Sequence, residues 1–147
     1  MKILNFKNIK NQKGSMLLEG LIGILIFSLG VLSLVGLQSV AVKNVTQAKY
    51  RSDAAYLADK FIAQMWVDNQ STLAADYRDG GPRYNIWLTS ILNNKSLPGV
   101  TSAVNKPRVV MTPDTTTTSV TASVTLFWQL PGETTAHQYV TIAQIGK

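Results

Sequence analysis

At 147 residues the chain is sized for one domain with at most a short appended segment. It has no cysteine, which excludes a disulfide framework, a thiolate nucleophile and a cysteine-ligated metal. The net charge of +6 does not mark a nucleic-acid binder, because Lys2, Lys7, Lys10 and Lys13 all lie in the first 14 residues and most of the excess lies with them.

The first segment, residues 1–14, is short, basic and free of acids. An apolar run follows, and from Gly20 to Val42 no residue is charged. As a helix these 23 residues would measure about 34 Å at ~1.5 Å per residue, enough to cross a hydrocarbon core of about 30 Å. A secretory signal has an apolar stretch of only ~7–15 residues followed by its cleavage site, so this run reads as an anchor that stays. Four lysines precede it, and Lys43, Lys49 and Arg51 follow. The asymmetry favours a cytoplasmic N-terminus, with the C-terminal region across the membrane. Within the apolar stretch the one charge is Glu19, and an ionisable residue placed there is a functional candidate by default. Gly20, Gly23, Gly30 and Gly36 are small residues of the kind that let membrane helices pack closely.

The segment Lys13-Gly14-Ser15-Met16-Leu17-Leu18-Glu19 resembles the processing site of type IV pilins and type II secretion pseudopilins. Five parts of that pattern are present: a basic leader, a glycine, mostly apolar residues, a glutamate fifth after the cut, and an apolar helix. The resemblance implies that a prepilin peptidase cuts between Gly14 and Ser15 and methylates the new amine of Ser15. It implies that Glu19 pairs with the terminal amine of a neighbouring subunit. One position departs: Ser15 stands where the family usually carries phenylalanine or methionine. Gly36 stands where many major pilins carry a proline, which raises the expectation of local melting during assembly.

The helical pattern continues past the membrane edge. Ala54, Leu57, Ala58, Phe61, Ile62 and Met65 form one apolar stripe, with Lys49, Asp53, Lys60 and Asp68 mostly on the other side. No proline falls between Met16 and Asp68, so a single helix is predicted over that range. The stretch from Tyr50 to Asn69, together with Ile26-Phe27-Ser28-Leu29-Gly30-Val31-Leu32 and Gly36-Leu37-Gln38, resembles minor pilins of the PilV type. The resemblance covers residues 13–70.

Residues 71–84 read as a loop ending in Asp79-Gly80-Gly81-Pro82, a dense turn signal. Asn85 to Asn94 carries Trp87, Leu88, Ile91 and Leu92 on one side and predicts a short helix. Leu97-Pro98-Gly99 turns the chain. From Val100 onward valine and threonine dominate, which favours strands. Three are predicted: Arg108–Thr112, a period-two run from Val120 to Gln129, and Gln138–Ile145. The threonine-rich loop Thr112–Thr118 joins the first two. Short connections between consecutive strands imply an antiparallel sheet, one face of which would cover the helix at Leu57, Phe61 and Met65.

No enzyme site is legible. His137 is the one histidine and reads as a surface residue. Asp76 and Asp79 read as turn residues, since a calcium loop needs a third acid and a terminal glutamate. No phosphate-binding glycine loop or nucleophile elbow occurs. Lys95, Lys106 and Arg108, without placed aromatics, make no stacking groove, and nucleic acid is not expected as a partner.

The expected fold is α+β and pilin-like: a long N-terminal helix, half transmembrane and half amphipathic, packed on a C-terminal antiparallel sheet. The expected divisions are a leader over 1–14, an anchor and filament-core helix over 15–42, and an exported domain over 43–147, comprising the amphipathic half 43–70, a loop and short helix 71–99, and the sheet 100–147. The resemblance implies a minor pilin that helps start pilus assembly at the tip and so supports surface display, twitching motility or adhesion. Its partners would be other minor pilins, the major pilin, the prepilin peptidase, the inner-membrane assembly machinery and the membrane itself. It would sit in the inner membrane as a single-pass protein with a periplasmic C-terminal domain, then in the pilus at the cell surface. No cofactor, metal or catalytic residue is expected. A minor pseudopilin of type II secretion shares the anchor and processing site, and an uncleaved single-pass protein that binds a partner is a third reading.

Overall fold

The computed structural model describes residues 13–114 and 119–146. Most of the expected leader, residues 1–12, and the threonines at 115–118 of the expected loop lie outside the described residues. The elements are α1 (Lys13–Val67), α2 (Leu73–Tyr77), α3 (Pro82–Asn94), β1 (Arg108–Pro113), β2 (Val120–Trp128) and β3 (His137–Ile145). By its contacts the chain divides into two units, Met1–Asn44 and Val45–Lys147.

In the first unit, every described residue from Gly14 to Asn44 is helical and exposed. Met16, Leu17, Ile24 and Phe27 are each at least 70% exposed. Among the described residues nothing covers this apolar surface. The helix continues without interruption through Gly36. It is long and apolar enough to cross a membrane.

In the second unit the rest of α1 shows one-sided burial. Ala54, Ala58, Phe61 and Met65 are 0–1% exposed, and their spacing of three and four residues places them along one stripe. Leu57 and Ile62, at the sides of the stripe, are half-buried. The stripe shares one hydrophobic core with the sheet residues Val109, Val120, Ala122, Val124, Leu126, Trp128 and Ile145. Phe61 lies at the aromatic centre, stacked on Trp87 with centroids 4.1 Å apart and tilted against Tyr77 at 5.2 Å.

The sheet has three antiparallel strands in the order β1-β2-β3. Val109 pairs with Val124, and Val124 with Thr141. Along β2 the even-numbered residues Val120 to Trp128 are buried and those between are half-buried, as period-two side-chain alternation requires. Residues 71–84 are not the uninterrupted loop that the turn residues suggest. Leu73 and Tyr77, four residues apart, are buried and define α2. The following helix also begins earlier than Asn85, at Pro82, because proline's fixed φ suits a first helical turn that needs no N–H donor. Tyr84, in that added turn, is buried and donates its hydroxyl to the Pro107 carbonyl at 2.7 Å. Lys95 closes α3 in the left-handed conformation, φ 49°, while the Ser96 N–H reaches the Ile91 carbonyl, a Schellman-type ending. Gly99 has φ +71°, and a Cβ there would lie 2.9 Å from Gln129, so only glycine fits the turn into the sheet.

Candidate functional site

The sequence singles out Gly14, Ser15 and Glu19, and all three lie on the exposed first turns of α1. Among the described residues nothing lies within 4 Å of a Cβ built at Gly14. Ser15 and Glu19 are four residues apart and therefore neighbours on one face. Glu19 is outside the first turn of α1, which holds no acid. The helix dipole acts mainly on the terminal turn, so it gives this carboxylate little support. Further along, two of the three serines in the charge-free run bond to their own backbone. Ser28 Oγ donates to the Ile24 carbonyl at 2.7 Å and Ser33 Oγ to the Leu29 carbonyl at 2.9 Å. A hydroxyl satisfied within its own helix adds little cost in lipid.

Two polar clusters in the second unit were not legible from sequence. The first ties α1 to the β2–β3 hairpin. Gln47 Nε2 lies 3.4 Å from both Glu133 Oε1 and His137 Nε2, and the His137 ring is 2.8 Å from Glu133 Oε2. The imidazole also stacks on Trp128 with centroids 5.7 Å apart. His137 is thus a half-buried bracing residue and not the surface histidine expected from its isolation. Residues 47, 133 and 137 are brought together only by the hairpin. The second cluster joins the ends of α1, α2 and α3. Asp68 accepts from the Tyr77 hydroxyl at 2.9 Å and pairs with Arg83 at 3.0 Å. A backbone N–H from Asn69, then the Tyr77 hydroxyl, hold the Asp68 carboxyl below its ordinary range. Burial, then the Asp68 contact, pushes Tyr77 up to about 12. Tyr84 is likewise pushed to about 12, first by burial and then by the charge of Asp79.

The remaining sequence candidates separate. Asp76 is a helical residue of α2 and not part of a turn. Asp79 is in the turn, and its Oδ1 accepts the Val109 N–H at 2.6 Å. Lys106 and Arg108 do share an open depression, with Phe127 and the acid Asp79 on its wall, whereas Lys95 sits at the end of α3. Among the described residues no three His, Asp or Glu side chains gather as a metal site would require. The described residues therefore form an α+β protein whose N-terminal helix is long and apolar enough to cross a membrane and is exposed from Gly14 to Val42. Comparisons with protein-family models, with curated proteins and with solved structures return no match.

Proposed function

We propose that this chain is a minor subunit of a type IV pilus, processed between Gly14 and Ser15 and assembled through the first half of α1. The observation that carries the reading is the block Gly14–Glu19 at the head of a helix that is apolar and exposed as far as Val42 and acquires one buried stripe beyond it. One half is suited to lipid and then to a helix bundle, and the other is the spine of an exported domain. The C-terminal domain would be periplasmic before assembly and displayed on the pilus afterwards.

In lipid the apolar side chains gain nothing by leaving tails that are equally apolar. Assembly therefore needs a specific polar contact. Cleavage after Gly14 frees an amine at Ser15, one turn from Glu19. In a bundle, Glu19 of one subunit meets the amine of the next, and each removes the other's unpaired charge from a poorly solvated environment. The pair sets how far one helix is displaced along its neighbour. Other minor pilins and the major pilin are the partners that present such amines and carboxylates.

The test is the intact mass of the protein extracted from its native membrane. A mass of Ser15–Lys147, with or without one methyl group, is expected. A mass that starts at Met1 overturns the reading and leaves an uncleaved anchor.

A further inference from the structure

Three polar side chains meet where the β2–β3 hairpin reaches α1. His137 Nε2 is 2.8 Å from Glu133 Oε2, and Gln47 Nε2 is 3.4 Å from both His137 Nε2 and Glu133 Oε1. Each of these contacts is favourable only with a donor facing an acceptor, and an ionised carboxylate only accepts. With the proton on Nε2, His137 donates to Glu133, and the Gln47 amide NH2 then sets a second donor against that N–H. Turning the amide round, which exchanges its oxygen and nitrogen, sets the Gln47 carbonyl against the carboxylate instead. Moving the ring proton to Nδ1 sets a bare Nε2 against the carboxylate. Three groups in a triangle cannot alternate between donor and acceptor, so the protein's own protons always leave one contact of like with like.

A cation resolves the triangle, because a carboxylate oxygen, an amide oxygen and an imidazole nitrogen can all give electron pairs to one ion. In four-coordinate zinc, bonds of about 2.0–2.1 Å hold neighbouring ligand atoms about 3.3–3.4 Å apart. The two Gln47 contacts already have that spacing, and the His137–Glu133 contact would open by about 0.5 Å to reach it. Two of the three groups are also held in place. The imidazole stacks on Trp128 with centroids 5.7 Å apart. Glu133 is fixed at the hairpin turn: its N–H donates to the Leu130 carbonyl at 3.1 Å, its carbonyl accepts from Gln129 Nε2 at 2.7 Å, and the Leu130 N–H reaches its Oε2 at 3.4 Å. The Glu133 side chain is 14% exposed and that of His137 35%, so the imidazole side leaves a path for an ion and room for water.

We propose that Gln47, Glu133 and His137 form a binding site for one zinc ion, through the amide oxygen, the carboxylate and Nε2, with water in the fourth position. An imidazole beside a carboxylate selects zinc over calcium and magnesium, which take oxygen ligands. Two strong ligands and one amide are fewer than a closed structural site uses, so the expected affinity is modest, with a Kd of about 1–100 μM. The bound ion would tie α1 to the hairpin and so add to the stability of the second unit. The site depends on neither the cut after Gly14 nor assembly into a filament, and it stands or falls apart from the pilin reading.

The experiment titrates zinc chloride into the full chain in detergent, with heat read by calorimetry and the imidazole signals by NMR. The chain has one histidine and no cysteine, so an imidazole signal that responds to zinc belongs to His137. One zinc per chain is expected, with the ring signals shifting in step with the heat, and calcium chloride should leave them unmoved. At 100-fold excess over Kd, zinc should raise the melting midpoint by at least about 5 °C. His137→Gln and Glu133→Gln should each weaken binding at least tenfold. Gln47→Glu should tighten it at least tenfold, because it supplies a charged third ligand. A melt without zinc checks that each variant is folded, and the ring signals of the parent and of Gln47→Glu decide the question if a weakened variant is not. Unmoved ring signals up to about 1 mM zinc would overturn the proposal. So would a folded His137→Gln or Glu133→Gln variant with unchanged affinity, or a Gln47→Glu variant that binds no tighter than the parent. Heat without a ring shift would mark an adventitious ion only, and would overturn it as well.

Discussion

Phe61→Ala tests whether the amphipathic half of α1 is the spine of the C-terminal domain. Phe61 is 1% exposed and meets both Trp87 and Tyr77. Truncating a buried Phe to Ala costs about 3–5 kcal/mol. Two ring partners and a helix that cannot easily move into the gap place the expected loss toward the upper end, roughly 4–5 kcal/mol. Domains of this size have total stabilities of about 5–15 kcal/mol, so the variant should lose much of its margin. Each kcal/mol moves the midpoint of a domain this size by about 4–8 °C, giving an expected drop of roughly 16–40 °C. The assay is urea unfolding of the full chain in detergent, followed by tryptophan fluorescence, since Trp87 and Trp128 are buried. Tyr56→Ala is the control. That residue lies on the same helix but is 66% exposed, and should stay within about 0.5 kcal/mol of the parent. A loss below about 1 kcal/mol for Phe61→Ala, or equal losses for the two variants, would refute the assignment of the core stripe.

Four other expectations follow from the same geometry. Glu19→Ala should leave the second unit folded and sharply reduce pilus incorporation, read by immunoblot of sheared pili; normal incorporation would remove the pairing role. Asp79→Ala should cost about 1–3 kcal/mol by leaving the Val109 N–H without its acceptor, measured by denaturant unfolding, with Asp79→Asn less severe. Gly99→Ala should cost at least about 1 kcal/mol, since its φ of +71° is left-handed and Gln129 crowds the new methyl; an unchanged midpoint would contradict the turn. Tyr77 and Tyr84 are both raised to about 12 from 10.0. Their neutral forms therefore stabilise the fold fully below pH 10, and that contribution is lost as pH rises from 10 through 12. Absorbance at 295 nm should show two tyrosines ionising late and together with unfolding, and Tyr84→Phe should show one fewer.

How much of this was legible in the sequence depended on the range of the interactions involved. The 23-residue charge-free run, the buried stripe from Ala54 to Met65 and the alternation of β2 are local periodicities. Each is set by residues within a few turns or a few strand positions of each other, so the helix, the three strands and the α+β class could be read directly. Gly14, Ser15 and Glu19 lie within one short stretch, so the proposed processing site could be put forward from sequence alone. Helix α2 was missed because five residues carry almost no periodic signal, and Leu73 and Tyr77 become a helix face only when a core lies beneath them. The early start of α3 was missed because Pro82 serves a turn or a first helical turn equally well, and the burial of Tyr84 decides between them.

The rest was decided by the tertiary structure. Gln47, Glu133 and His137 are separated by up to 90 positions, and no spacing rule joins them until the hairpin forms. The fate of the sheet edges is likewise non-local. Asp79 guards β1 from 30 residues away, while along β3 no further backbone partner occurs among the described residues. Composition and periodicity determine which faces are apolar. Only the register of one strand on another, and the path of the loops between them, decides which backbone groups are left unpaired.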